Sequence, residues 1–322
     1  MNSDVSDSYQ VKTELPSAYA ELERHSMEVV QRLLSDKPKA SRMWRLLTMD
    51  PEVKGEWAMV NYVAVKKLGM NDHGEIHVKI ASASALTMLT LLVERGVQPD
   101  VVASGIGDED DAALVVLAAA LCHDFGNQIH RTGHQDLGVV LAMPVLDRLL
   151  PLIYQDMEKL TRIRAFILSA IYTHHGEPVP LTLEAGLVCI GDSTDMTKGR
   201  GRMAFEAGSI TIHTVSALSI ENVSINRGKE RPIQIRVEMS SSAGIFQVQE
   251  ILGRKLATGP LADLVDLVAV VEPSLCGEEE RKVYAIRMSG KTFVPISLEE
   301  EKQALPNEDP SSVGGGSSRG EE

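Results

Sequence analysis

Apolar residues recur at helical spacing through the first two thirds of the chain. Near the N-terminus they fall at Leu22, Met27, Val30 and Leu33, which predicts an amphipathic helix over 18–34. Asp50-Pro51 is a typical helix start, because proline is tolerated at the first helical position. The same pattern, with a nearly continuous apolar run at 112–123, predicts further helices over 51–68, 76–96, 112–123, 134–150, 156–175 and 181–197. This part of the chain is therefore predicted to be all-helical.

The pattern changes after Gly199. Runs rich in isoleucine and valine with partial alternation predict strands over 209–214, 218–225, 233–239 and 264–271, and one helix over 244–256 interrupts them. Asn226-Arg227-Gly228-Lys229 lies between two runs and predicts a hairpin turn. We therefore expect an all-α domain over 17–205 followed by a small α+β domain over 206–296. The polar segments 1–16 and 297–322 are expected to be disordered tails, since they hold too few apolar residues to form a core.

Composition narrows the possible partners and the compartment. The chain carries 32 basic and 45 acidic residues, and aromatic residues make up only 4%. This excess of acidic residues argues against general nucleic-acid binding, which needs a basic face. No run approaches the roughly 18 apolar residues that span a bilayer, and the N-terminus lacks the features of a secretory signal, so we expect no membrane partner. The three cysteines form no C-x-x-C pair, which favours a cytoplasmic protein and metal ligands other than thiolates.

Histidine placement is the most informative chemical feature. Seven of the nine histidines lie between positions 73 and 175, and Asp124 directly follows His123 at the end of the most apolar predicted helix. A single histidine at a helix end is commonly a cap. A buried carboxylate beside buried imidazoles, however, costs several kcal/mol unless another charge compensates it. A divalent metal supplies that charge, and imidazole with carboxylate is a common ligand set.

The order of these residues resembles a known family. His77, His123-Asp124 and Asp192 match the HD superfamily of metal-dependent phosphohydrolases over about residues 60–205, and the additional histidines resemble its dinuclear branch, which includes the HD-GYP phosphodiesterases. The resemblance implies a helical HD-domain core in which Asp124 bridges two divalent metal ions. One ion would be completed by His77, His123 and Asp192, and the other by His134, His174 and His175. Mn²⁺ or Fe²⁺ suits such ligands best, with Zn²⁺, Ni²⁺ or Mg²⁺ as alternatives.

The chain departs from the HD-GYP pattern after its paired histidines. The sequence there is Gly176-Glu177-Pro178-Val179-Pro180, without a Gly-Tyr-Pro motif, and Asn127 stands where lysine is common. Cyclic-dinucleotide specificity therefore does not follow from the resemblance.

Several neighbouring residues are candidates for supporting roles. Lys198, Arg200 and Arg202 follow Asp192 closely and are predicted to bind substrate phosphate, with a solvated linker as the alternative. Asp195 lies one helical turn after Asp192 and would orient a ligand or the basic loop. His73 precedes His77 by one turn and is either a supporting residue of the metal site or an exposed turn residue. His130 is either a substrate contact or a loop residue. The proton donor to the leaving oxygen would be His130, or whichever of His174 and His175 is left free of metal.

The leading functional hypothesis is hydrolysis of a phosphate ester by metal-activated hydroxide, with Asp124, His130 and Lys198 as catalytic residues. The expected substrate is a small phosphorylated molecule, including nucleotides. One alternative is an HD-fold diiron oxygenase, for which the basic 198–202 segment is not needed. Another is a nucleotide-binding sensor whose C-terminal domain transmits a signal, although such a module does not need seven metal ligands. The C-terminal domain is also a candidate for homo-oligomer formation.

Overall fold

Helices form the first part of the fold. A computed structural model describes residues 17–200, 211–271, 285–297 and Glu300. The α-helices of its first part are α1 Ser17–Leu33, α2 Pro38–Met49, α3 Pro51–Asn61, α4 Glu75–Glu94, α5 Asp100–Ala103, α6 Glu109–Cys122, α7 His134–Leu149, α8 Met157–Thr173 and α9 Leu183–Thr194. A π-helical segment, Tyr62–Lys67, continues α3, and 3₁₀ segments lie at Phe125–Gln128 and Leu150–Leu152.

Helices α4, α6 and α9 form the centre of the helical part and pack against one another. Helix α6 is buried from Asp111 to Cys122, as expected of a helix that is apolar all round. Helix α4 is the one helix in the described part of the chain whose length and apolar composition would suffice to cross a membrane, and 67% of that stretch is buried inside the protein. It is a core helix here. His77, His123 and Asp192 lie on, or directly after, these three helices.

Helix α6 begins with a charged network that joins it to α2 and α8. Asp108 and Asp111 form a reciprocal capping box at its first turn. The buried Asp111 carboxylate also accepts hydrogen bonds of 2.7 Å each from Lys39, Lys159 and Tyr154. Burial raises the pKa of Asp111, but these donors outweigh it and lower the pKa to about 2. The network therefore holds the end of the core helix opposite His123.

A five-stranded sheet forms most of the C-terminal part. Its strands are β1 Ile220–Arg227, β2 Ile233–Met239, β3 Val265–Val271, β4 Ala285–Ser289 and β5 Thr292–Ile296, and they are arranged in sequence order. β2 and β3 are parallel, whereas the other neighbouring pairs are antiparallel. One face of β2 and β3, including Ile235 and Leu267, joins the same apolar core as the helices. The sheet therefore packs directly on the helical part.

The connection between β2 and β3 is helical, as a parallel pair requires. It contains the 3₁₀ turn Ser242–Gly244, the π segment Gln247–Gly253 and the short helix α11, Arg254–Thr258. The π segment and α11 contact α9 of the helical part. This crossover brings residues from the C-terminal part against a helix that carries a predicted metal ligand.

The prediction of a helical core followed by a small α+β unit is confirmed, but some elements differ. The predicted strand at 209–214 is wrong over its described residues, because Thr211 and Thr214 form a capping box that starts helix α10, Ile212–Ala217. Strands β4 and β5 were not predicted, since each is only five residues long. The domain boundary at 205/206 and the N-terminal tail lie outside the described residues, as does nearly all of the C-terminal tail.

Candidate metal centre

The candidate centre consists of two clusters that share one carboxylate. Ligand atoms of His77, His123 and Asp124 lie within 4.8 Å of one another, and so do those of Asp124, His134 and His174. Asp124 Oδ2 lies 3.6 Å from His77 Nε2 and 3.4 Å from His123 Nε2. Asp124 Oδ1 lies 4.0 Å from His134 Nε2 and 3.7 Å from His174 Nε2. Each oxygen of this carboxylate therefore faces a different pair of imidazoles, as a bridging ligand would.

Asp192 adds a second carboxylate to the first cluster. Its Oδ1 lies 3.2 Å from His77 Nε2 and 3.7 Å from His123 Nε2. The first cluster therefore has two histidines and two carboxylates, whereas the second has two histidines and only the shared carboxylate. This difference in charge makes the two clusters unequal as cation sites.

Backbone carbonyls fix the orientation of three imidazoles. Nδ1 of His123, His134 and His174 lies 2.8, 2.9 and 2.6 Å from the carbonyl oxygen three residues earlier. Because a carbonyl only accepts hydrogen bonds, each Nδ1 carries the hydrogen and each Nε2 lone pair is directed at the cluster when the ring is neutral. Metal-binding histidines are typically oriented in this way.

The charges within the clusters fit a bound cation. Burial disfavours protonation of His123, yet the adjacent carboxylates of Asp124 and Asp192 raise its pKa to about 10. Burial, and then the charge of Arg131, lower the pKa of His134 to about 4, so that imidazole is neutral. The buried Asp124 Oδ2 accepts no hydrogen bond from any described residue. A divalent cation would satisfy this oxygen and replace the proton that His123 otherwise holds.

A buried network supports His77 from behind. His77 Nδ1 lies 2.7 Å from Asp195 Oδ2, and its backbone NH donates to Asp72 Oδ2 at 3.1 Å. The Tyr19 hydroxyl lies within hydrogen-bond distance of both carboxylates, at 3.2 Å from Asp72 and 3.1 Å from Asp195. Arg200 donates to the backbone oxygens of Asp72 and Asp195, at 2.8 and 2.6 Å. Asp195 therefore orients His77, and residues from α1 and from the segment after α9 hold Asp195.

The two described members of the predicted basic group have other partners. Arg200 is buried behind His77 in the network just described. Lys198 is about half exposed and pairs with Glu221 on β1. Arg202 lies outside the described residues.

The remaining predicted residues lie around the clusters. His73 is buried, with its ring centroid 5.6 Å from that of His77. His175 is exposed, and its Nε2 lies 3.3 Å from Arg131 Nη2 rather than among the buried ligand atoms. His130 is exposed on the loop before α7, where its Nδ1 accepts a hydrogen bond from the backbone NH of Thr132 at 3.0 Å.

Three residues beside the clusters were not identified from the sequence. Asn127 Nδ2 donates to Asp124 Oδ1 at 2.6 Å, and its position one turn after Asp124 was a usable signal. Arg131 Nη1 lies 3.3 Å from His134 Nε2. The one sequence signal for Arg131 was its position three residues before His134, a predicted ligand. Lys255 Nζ donates to Asp192 Oδ2 at 2.8 Å. No local signal marked Lys255, because it lies 63 residues beyond Asp192 in a different part of the fold.

The helical core carries two histidine–aspartate clusters that could hold metal ions. The HD domain family model matches residues 67–197. An uncharacterized protein of Methanocaldococcus jannaschii is 41% identical over 214 residues, which cover 66% of this chain and 82% of that protein. No solved structure shows a significant match. The chain belongs to the HD-domain superfamily, whose members are generally metal-dependent phosphohydrolases that bind divalent metals.

Proposed function

We propose that this protein hydrolyses a phosphate ester of a small molecule, a nucleotide being one candidate, with two divalent metal ions. The observation that carries the proposal is the Asp124 carboxylate, whose two oxygens face two separate pairs of buried imidazoles. His77, His123, Asp124 and Asp192 would hold one ion, and Asp124, His134 and His174 the other, with His175 as a further candidate ligand. When bound, such ions lower the pKa of water and stabilise charge on phosphoryl oxygens. Nitrogen and oxygen ligands suit Mn²⁺ or Fe²⁺.

Arg131 is the proposed phosphate-binding cation. It lies beside His134 and His175, at the second cluster. The guanidinium group of arginine presents several donors to an anion. Arg131 would therefore bind and orient the phosphoryl group over the clusters.

His130 is the proposed proton donor to the leaving oxygen. His130 is exposed on the loop before the second cluster, where its imidazolium form could transfer a proton to a substrate oxygen and become neutral. A cytoplasmic location agrees with the free, buried thiols of Cys122 and Cys189.

Metal analysis followed by a substrate panel tests this function. Full-length protein would be loaded with Mn²⁺ or Fe²⁺ and assayed on phosphomonoesters, phosphodiesters and nucleotides, beside Asp124→Asn. We expect metal-dependent phosphate-ester cleavage that this variant loses. Iron-dependent oxygen uptake without hydrolysis would instead support the diiron oxygenase, and nucleotide retention without turnover would support the sensor.

Lys198 pairs with Glu221 on β1, which favours the linker alternative over a phosphate contact, and Lys198→Gln tests the two. Because Lys198 pairs with Glu221 on β1, we expect this variant to keep the wild-type KM. A raised KM at low ionic strength would instead restore Lys198, and with it the basic segment, to the substrate site.

A further inference from the structure

Lys255 reaches the metal centre from the C-terminal part of the fold. It is the second residue of α11, in the crossover between β2 and β3, and its side chain is only 12% exposed. Its ammonium donates to Asp192 Oδ2 at 2.8 Å and to the carbonyl oxygen of His174 at 3.2 Å. One lysine therefore contacts residues that belong to both clusters.

Two glycines let this part of the chain approach the helices closely. A Cβ added at Gly176, where φ is +89°, would lie 3.1 Å from Cγ of Lys255. On α9, a Cβ at Gly186 would lie 2.7 Å from Cγ of Pro260, which is too close for a real side chain. Lys255 and the residues that follow it therefore pack directly on the helical part.

The two oxygens of Asp192 have different partners. Oδ1 faces His77 and His123 in the first cluster, whereas Oδ2 receives the hydrogen bond from Lys255. A carboxylate ligand that is free on its outer side can rotate, and hydrogen bonds from outer partners typically hold such ligands in place. Lys255 therefore determines which oxygen of Asp192 is presented to a cation.

We infer that Lys255 is a positioning residue of the metal centre and that the C-terminal α+β part completes that centre. The lysine acts through Asp192, by holding its carboxylate against the first cluster. This inference deepens the proposed function and rests on its metal binding, but not on the identity of the substrate.

Lys255 has two opposite effects on cation binding, one through its charge and one through the carboxylate that it orders. A positive charge near a cation disfavours binding, whereas an ordered carboxylate favours it. Loss of a residue that hydrogen-bonds to a metal ligand typically lowers metal affinity about 10–100-fold. We therefore expect the ordering of Asp192 to outweigh the repulsion between the lysine charge and the cation.

The test is Mn²⁺ titration of chelator-stripped, full-length protein by calorimetry. Lys255→Met is expected to weaken binding of the first Mn²⁺ equivalent by roughly 10–100-fold. Lys255→Arg keeps the charge and the donors and is expected to bind close to wild type. The matched control is Arg254→Met, because Arg254 is the neighbouring residue and forms an exposed pair with Glu177.

Unchanged or tighter Mn²⁺ binding by Lys255→Met, with a wild-type circular dichroism spectrum, would overturn the inference. If that variant loses the native spectrum, Lys255→Gln gives the same test with a milder change, and it is expected to bind Mn²⁺ more weakly than Lys255→Arg. Equal binding by these two variants would also overturn it. Weakened Mn²⁺ binding together with no hydrolysis of any phosphate ester would leave this inference standing and refute the proposed function alone.

Discussion

Replacing Asp124 by asparagine is the most direct test of the bridging arrangement. Asparagine keeps the size of the side chain and an oxygen that can still accept the hydrogen bond from Asn127. It removes the one negative charge that the two clusters share. The second cluster is then left with neutral imidazoles beside Arg131, whereas the first cluster keeps the carboxylate of Asp192.

The charge alone sets a lower limit on the effect. At a metal–oxygen distance of about 2.1 Å, a divalent ion and a unit negative charge attract by about 4 kcal/mol even with the dielectric constant of water. That energy corresponds to roughly a thousandfold in affinity. We therefore expect Asp124→Asn to lose one metal equivalent at micromolar Mn²⁺ and to bind the other more weakly.

The assay is calorimetric Mn²⁺ titration with elemental analysis of the dialysed protein, and circular dichroism checks the fold. Asp192→Asn is the comparison, because it changes only the first cluster and should leave the second site with its wild-type affinity. If Asp124→Asn still binds two equivalents of Mn²⁺ with wild-type affinity, Asp124 does not bridge two ions. The second cluster then does not depend on the Asp124 charge for cation binding.

Further predictions concern stability and substrate binding. Asp111→Asn should lower the free energy of unfolding at pH 7 by roughly 2–3 kcal/mol in urea denaturation, because it weakens charged hydrogen bonds from Lys39 and Lys159. Since the folded pKa of Asp111 is about 2 against an ordinary 3.8, this difference should shrink as pH falls through that interval. Arg131→Gln should raise the KM for an anionic substrate roughly tenfold or more and reduce its salt dependence, measured by steady-state kinetics. Chelation should lower the melting temperature by roughly 5 °C or more in thermal unfolding, with recovery on adding Mn²⁺.

The helical core was predictable from local sequence patterns, and the ligand set from the order of residues that resembles the HD superfamily. The apolar run before His123 requires burial. A buried Asp124 carboxylate then needs a compensating positive charge in any fold. Asp195 was found in the same way, since helical periodicity places it one turn beyond Asp192. Such inferences need only the spacing of residues within one element or a recurring order of ligands.

The basic residues show where sequence patterns stop being sufficient. Lys198 and Arg200 suggested a phosphate site because they closely follow Asp192 in sequence, but the structure pairs one with Glu221 and buries the other against Asp195. Lys255 carried no signal, because its proximity to Asp192 depends on how the β2–β3 crossover seats on α9. Charge complementarity between distant elements is a property of the tertiary fold, so a single sequence cannot specify it.

The network behind His77 has a consequence for dividing this protein into modules. Every predicted metal ligand lies within the family match at residues 67–197. Outside it lie Tyr19 and Arg200, which hydrogen-bond to Asp195 behind His77, and Lys255, which hydrogen-bonds to Asp192. A recombinant fragment cut at the limits of the match would keep the whole ligand set and lose its supports at both ends. The smallest piece that keeps these contacts is therefore longer than residues 67–197, and transplanting the motif alone into another chain would not transfer the geometry described for it.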